Sequence, residues 1–337
     1  MKNKELVEFL CDPRVYSEKP KDVKLVQTHI SWVFIGDEFV YKVKKPVDFG
    51  FLNFTTLEKR RFYVNEEKRL NTRFSPDVYI SVVPISSIDG AFRLGDESNI
   101  VEYALKMRRI SEEHMLYRLL EKNLISDTDM RHIGSHVARV YAGIPSDEKS
   151  RAFGSLDTIS TNVFENFDQT RKYIGGPVSK DTFDIIESWS RAFIKDNADL
   201  FAQRLDSGCI KDCHGDLHLQ HICLDQGRIF IFDCIEFNER FRFGDVASDV
   251  AFLAMDCDYN GYPDLAKVFV DSYHQTSGDT TLPDVLAFYK VYRAYVRAKV
   301  TSFMLDDTGL DEQVKDDAYA RAKRYYDLAE EYIKNDH

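Results

Sequence analysis

The sequence predicts an α+β fold of two lobes, β-rich on the N-terminal side and mostly helical after it. Three observations carry that expectation. From Ser31 to Ile110 the chain is dominated by short alternating runs rich in Val, Ile, Phe and Tyr, broken by one helical segment. From 111 to 205, and again from Gly244, apolar residues recur at helical spacing. Between those helical stretches, Ile210 to Arg240 returns briefly to strand character. No internal repeat, low-complexity tract or long Gly/Ser linker marks a boundary, so it is placed where the period changes. Residues 1–109 form an N-terminal lobe and residues 110–337 a C-terminal one, a division natural for a chain of 337 residues.

Taken in order, the first residues read as a short amphipathic helix with Leu6, Phe9 and Leu10 on one side. Ser31 to Val43, interrupted by Gly36-Asp37, reads as a hairpin that ends at Lys44-Lys45-Pro46. Thr55 to Arg73 carries Leu57, Phe62 and Leu70 at helical spacing amid dense charge. Two strands follow, Val78 to Ile85 and Val101 to Met107, separated by the Asp89-Gly90 turn. Helices are expected near 112–122, 126–142, 155–174 and 180–204. Ile222–Leu224 and Ile229–Phe232 flank the turn Asp225-Gln226-Gly227-Arg228 as a second hairpin. In the last part, Val285, Tyr289, Tyr292, Val296 and Val300 fall on one helix face, a stripe read as core rather than as a ligand cage.

Composition excludes some function classes. A net charge of −11 argues against nucleic-acid binding, which normally requires a basic face. It is compatible with a cationic substrate, although an ordinary acidic cytoplasmic protein has the same balance. The N-terminus lacks the long apolar region and small-residue cleavage site of a signal peptide. The most apolar stretch, Val250 to Met255, is far too short to span a bilayer. A cytoplasmic protein without a membrane partner is expected. Its six cysteines form no CxxC pair and read as buried thiols, with zinc at Cys209 and Cys213 only weakly suggested by their spacing.

The chemistry concentrates in His214-Gly215-Asp216-Leu217-His218-Leu219-Gln220-His221 and in Asp233. Phosphoryl transfer needs a cation on the phosphates, a carboxylate to position the acceptor hydroxyl, and carboxylate ligands for the metal that bridges the phosphate oxygens. Asp216 lies between two apolar strands, where a loop can present it. Asp233 follows 17 positions later, after a hairpin that folds the intervening length back. Lys42 supplies a cation on a strand, with Glu66 or Glu67 on the next helix as its partner. The competing reading of Lys42, Lys44 and Lys45 is an exposed basic strand end. A second competing reading takes His214, Asp216, His218 and His221 as ligands of a metal hydrolase. It leaves Lys42 and the strand around FDCIEFN unexplained. No P-loop and no GxSxG elbow occurs.

HGDLH, followed by IFDCIEFN and then FGDVASDVAFL, resembles the aminoglycoside phosphotransferase and choline kinase group of the protein-kinase-like fold. YKVKKPVDFGFLNFTTLEKRR is similar to N-lobe runs of the bacterial aminoglycoside-phosphotransferase-like branch, so the resemblance extends from about His29 to Met255. It implies a bilobal kinase fold and an ATP-dependent phosphotransferase that uses Mg²⁺ or Mn²⁺ and acts on a hydroxyl of a small molecule. By that resemblance Asp216 is the catalytic-loop aspartate and Asp233 the metal aspartate. Lys42 contacts the α- and β-phosphates, with Glu66 as its helix partner and Glu67 the alternative. The strand Val101 to Met107, followed by Arg108-Arg109-Ile110, is the interlobe hinge, so the backbone of Met107, Arg108 and Arg109 receives adenine. His214 is structural, and Asp245 and Asp249 brace the loop from the start of the next helix.

The motif departs from its family at one position. Five residues after the catalytic aspartate the family has an asparagine that binds the second Mg²⁺, whereas this chain has His221. Imidazole suits Mn²⁺ or softer ions better than Mg²⁺. Three consequences stay open: a single fully used metal, a softer ion at His221, or a catalytically weak nucleotide-binding pseudokinase. Glu236, three residues past Asp233, is a further candidate oxygen ligand. An APE-like anchor is missing after Asp233, which disfavours a protein substrate.

Overall fold

A computed structural model describes residues 2–335. The elements run α1 (Lys2–Leu10), β1 (Lys24–Gln27), β2 (Ser31–Ile35), β3 (Phe39–Lys44), α2 (Leu57–Thr72), β4 (Tyr79–Ile88), β5 (Ala91–Leu94), β6 (Ile100–Arg108) and α3 (Leu116–Glu121). They continue as α4 (Asp127–Ala142), α5 (Glu148–Arg151), α6 (Leu156–Thr170), α7 (Lys180–Asp196), α8 (Ala198–Asp206), β7 (Ile210–Asp212), β8 (Ile222–Asp225), β9 (Arg228–Ile231), α9 (Glu239–Arg242) and β10 (Phe243–Asp245). Helices α10 (Val246–Tyr259), α11 (Pro263–Ser277), α12 (Leu282–Phe303) and α13 (Glu312–Lys334) complete the chain. Among the described residues no helix is long and apolar enough to cross a membrane.

Internal packing divides the chain into two units. One takes residues up to Leu124 together with Gln220–Arg242, and the other takes Ile125–Leu219 and Phe243 onward. This runs differently from a single cut after residue 109. Met115 bridges to Cys223, and α3 packs on β8, so residues 110–124 and the second hairpin join the strand-rich unit.

In the strand-rich unit the described residues form a six-stranded antiparallel sheet in the order β1-β2-β3-β6-β4-β5. Alternation along β3 sends Tyr41 and Val43 to one face, where they pack with Trp32, Phe34 and residues Leu6 and Leu10 of α1. Lys42 and Lys44 therefore take the other face. That face holds Leu105, Val64 of α2, and Cys223 and Phe230 of the second hairpin. Helix α2 starts at Thr56, whose hydroxyl caps the Lys59 N–H at 3.3 Å. The hairpin is tied on by Ser75, whose hydroxyl bonds both the N–H and the carbonyl of Ile231, at 2.8 and 2.7 Å.

The second unit is helical, and among its described residues the strands β7 and β10 pair antiparallel. Its axis is α10, where every residue from Val246 to Cys257 is buried, as expected of a helix apolar on all sides. Helices α11 and α12 pack on α10, α4 packs on α11, and α13 on α12. Three expectations are corrected here. The segment 180–204 is two helices rather than one, because Asn197 leaves helical geometry (φ −113°, ψ 27°) and its side chain bonds the Phe193 carbonyl. The helical candidate at 112–122 opens with a 3₁₀ turn, so its α-helix begins only at Leu116. The buried face of α12 is centred on Phe288, Val291, Tyr295 and Ala298, and Val300 is 51% exposed. The first part of the expected stripe, Val285 and Tyr289, is core.

Candidate functional site

In the strand-rich unit, Lys42 Nζ lies 2.8 Å from Glu67 Oε1 and 2.9 Å from Asp233 Oδ1. Two residues on, the same strand face presents Lys44, which is 1% exposed. Its ammonium bonds the other Glu67 oxygen at 2.7 Å and the Glu236 carboxylate. The result is a chain of alternating charges, Asp233–Lys42–Glu67–Lys44–Glu236. Burial pulls the Lys42 ammonium down, but Asp233 and then Glu67 more than offset this and hold it well above the ordinary lysine value. Burial likewise tends to raise Glu67, yet Lys42 and Lys44 keep it below the ordinary glutamate range. Glu236 is shifted up, since burial outweighs what Lys44 returns.

This geometry corrects three expectations. The partner of Lys42 is Glu67, not Glu66. Successive helical residues point about 100° apart, and Glu66 instead faces Arg69, at 2.8 and 2.9 Å. Lys44 is not part of an exposed strand end, and Lys45 is half-buried, its ammonium lying over the Trp32 ring. Glu236 is not placed as a metal ligand, because its carboxylate is committed to Lys44.

Asp233 stands two residues past β9 with φ +66°, a left-handed conformation that costs a non-glycine residue energy and recurs at functional sites. Its N–H donates to Tyr79 Oη at 3.2 Å, and the next N–H, of Cys234, donates to Asn71 Oδ1 at 2.9 Å. These contacts fix the backbone while leaving the carboxylate 46% exposed. His221 Nε2 lies 3.6 Å from Asp233 Oδ2. That separation lets one ion take both donors. The oxygen suits Mg²⁺ or Mn²⁺, and the imidazole favours Mn²⁺ or a softer ion. Met107, Arg108 and Arg109 lie at the end of β6 in this unit. The N–H groups of Arg108 and Arg109 are already given to the carbonyls of Val78 and Glu38, both at 2.8 Å, so they do not present free donors to an adenine ring.

Asp216 belongs to the helical unit, on the loop after β7. Gly215, at φ +85°, turns the chain there. The loop is held from α10 at two points, two helical turns apart. Asp249 accepts the N–H groups of His214 and Gly215 at 2.8 and 3.0 Å, as well as the Tyr141 hydroxyl. Asp256 accepts the Leu219 N–H at 2.9 Å. Helix α12 adds Arg293, which donates to the Gly215 carbonyl at 3.0 Å and to Asp249 at 3.2 Å. Asp245 caps α10 through the Ala247 N–H and is gripped by the fully buried Arg204 at 2.6 and 2.7 Å. The bracing expected of Asp245 and Asp249 is therefore present. Asp256, Arg293 and the burial of Lys44 between Glu67 and Glu236 were not expected from the sequence, and Glu67 stood only as the alternative to Glu66. The seven-residue spacing of Asp249 and Asp256 on one helix was the available signal for the first of them.

His214 is fully buried, and its Nδ1 accepts the Asp216 N–H at 3.3 Å. The buried His218 has Nε2 3.5 Å from Asp216 Oδ2. Cys209 and Cys213 are thiols outside any disulfide, and the Cys213 S–H donates to the Gly244 carbonyl.

No family model matches the chain. It is 29% identical over 325 residues to the uncharacterized proteins Rv2004c of Mycobacterium tuberculosis and Mb2027c of Mycobacterium bovis. The match covers 96% of this chain but only 62% of theirs, so the chain spans less than two thirds of these relatives' length. Among solved structures it resembles a choline/ethanolamine kinase family protein from Mesorhizobium loti (12% identity, TM-score 0.52, 98% and 100% of the two chains covered). It also resembles the GDP complex of aminoglycoside 2′-phosphotransferase-IIIa (10%, 0.56, 99% and 100%) and choline kinase from Cryptosporidium parvum (12%, 0.55, 99% and 97%). The chain has the kinase-like fold of these proteins, as its motifs led one to expect.

Proposed function

We propose that the chain is an ATP-dependent phosphotransferase acting on a hydroxyl of a small molecule. The observation that carries this reading is the placement of Lys42, whose ammonium is shared by a helix carboxylate and by an exposed aspartate held in left-handed backbone. A lysine kept charged and aimed in this way suits nucleotide phosphates, and Asp233 with His221 suits a divalent ion. That ion, when bound, neutralises charge that develops on the phosphate oxygens. Lys42 binds and orients the phosphates, and Glu67 holds Lys42 in place. Asp216 accepts the proton of the acceptor hydroxyl and orients it, on a loop that Asp249, Asp256 and Arg293 keep in position.

A second reading, a nucleotide-binding regulator with little turnover, is favoured by one observation only: His221 stands where the resembled family has asparagine. A metal hydrolase is less well supported, since His214 is fully buried with Nδ1 already accepting a hydrogen bond. Calorimetry with ATP plus Mg²⁺ or Mn²⁺, followed by turnover on a broad panel of metabolites, tests the proposal. Asp216→Asn is expected to bind nucleotide normally and to lose transfer by about 10²- to 10⁴-fold. Absence of nucleotide binding with either metal refutes it.

A further inference from the structure

Helix α12 places two arginines one turn apart beside the loop that carries Asp216. Arg293 is fully engaged: Nε bonds the Ser248 hydroxyl at 2.9 Å, Nη1 the Gly215 carbonyl and Nη2 Asp249. Arg297, four residues on, shares its face of the helix. Its Nε is buried and has no hydrogen-bond partner among the described residues. Its guanidinium carbon lies 5.7 Å from the Tyr325 ring centroid, and the Tyr325 hydroxyl is within hydrogen-bonding reach of the group. The carboxylates whose fields reach it are Asp216 and Asp256. Neither stands within ion-pair distance of it, and Asp256 is already taken up by the Leu219 N–H and the Asn260 amide. The two arginines thus differ in kind. One completes the loop, while the other, with Tyr325 beside it, brings a positive charge that has no carboxylate ion-pair partner to the neighbourhood of the proposed acceptor aspartate.

Arg297 is half-buried, and guanidinium groups drawn out of water are normally satisfied by oxyanions, which their planar fork grips in bidentate fashion. We propose that Arg297 receives an anionic group of the acceptor, a carboxylate or a phosphate ester, so that the substrate is a hydroxylated acid or a phosphorylated polyol rather than an amine. This deepens the phosphotransferase reading and rests on it. It also runs against the cationic substrate with which the acidic composition is compatible, because a local arginine outweighs a diffuse net charge screened over a Debye length of about 8 Å.

The test titrates the full chain calorimetrically, with ATP and metal present, against glycerate, glycerol 3-phosphate, glycerol and ethanolamine. One of the two anions is expected to bind more tightly than glycerol or ethanolamine, and which one it is separates carboxylate from phosphate. Arg297→Met is expected to weaken that anion by about 10- to 100-fold, the range of a charge-assisted hydrogen bond. Arg297→Lys should recover part of the loss, and ATP affinity should stay unchanged in both variants. Should Arg297→Met fold poorly, Arg297→Lys and Arg297→Gln carry the comparison. Preference for ethanolamine or glycerol, no binding of either anion, or anion binding indifferent to Arg297 overturns the proposal. So does an equal loss of ATP affinity, which puts the arginine on nucleotide phosphates. Arg297-dependent anion binding without any nucleotide binding sinks the kinase reading alone.

Discussion

Replacing Glu67 by glutamine keeps the shape of the side chain and removes one charge from the middle of a buried row. Its oxygens lie 2.8 and 2.7 Å from two ammonium groups, and the residue is 1% exposed. Breaking a buried ion pair by neutralising one partner costs about 3–5 kcal/mol. Here each lysine keeps a second carboxylate, Asp233 for Lys42 and Glu236 for Lys44, which points to the lower end, about 3 kcal/mol. Glu66→Gln, one residue away, loses an i,i+3 contact with the half-exposed Arg69 and a long 4.0 Å approach to Arg242, together worth about 1 kcal/mol. Urea unfolding of both variants gives the difference directly. Titration with ATP and Mg²⁺ should show weaker binding for Glu67→Gln and little change for Glu66→Gln. Equal effects of the two substitutions, or a Glu67→Gln cost below about 0.5 kcal/mol, would refute the assignment of Glu67 as the residue that holds Lys42.

Three further outcomes are expected. Gly134→Ala on α4 would set a Cβ 2.5 Å from the Phe269 carbonyl oxygen and 3.0 Å from the Tyr273 nitrogen on α11. Neither backbone atom can step aside, so a loss of about 2–3 kcal/mol is expected in urea unfolding. Asp279, held by Arg204 at 2.9 Å, has its carboxyl kept below the ordinary aspartate range: burial opposes this, but the Arg204 hydrogen bonds and charge prevail. A depressed folded value adds stability that is complete above the unfolded value near 3.9 and fades as pH falls through the folded one. The stability gap between wild type and Asp279→Asn should therefore be constant from pH 7 to about 5 and shrink below about pH 4. Finally, His221→Asn should raise Mg²⁺-supported turnover relative to Mn²⁺-supported turnover, a ratio measured in one coupled assay. An unchanged ratio removes His221 from the metal site.

The hairpin β2–β3, helix α2, the pair β4 and β6, and the second hairpin were legible because their apolar period is regular and their turns carry Gly-Asp or Gly-Arg signals. Strands β1 and β5 escaped because they lie at the sheet edges and are largely exposed, so neither shows a buried stripe. Asp216 and Asp233 were readable from motif order. The choice between Glu66 and Glu67 was not, since periodicity in a helix rich in charge fixes a face only to within a residue. Lys44 shares a strand face with Lys42, which alternation implied. That it is buried depends on Glu236, 192 positions away, and local sequence carries no trace of such a pairing. Arg293 lay in a segment read for its aromatic stripe, and its hydrogen bond to Gly215 likewise depends on folding at long range.

The strand-rich unit is assembled from two stretches of chain separated by the whole of Ile125–Leu219. On a ribosome its sheet emerges early, yet Lys44 has no Glu236, Lys42 no Asp233, and Val64 and Leu105 no Phe230 until the second hairpin has been made. At typical elongation rates of about 5–20 residues per second, that leaves the nascent sheet incomplete for roughly ten seconds. During this interval it carries two lysines short of a partner on an otherwise apolar face, the kind of exposed intermediate on which chaperones act. A chain released after Leu124 should not reach the native unit at all.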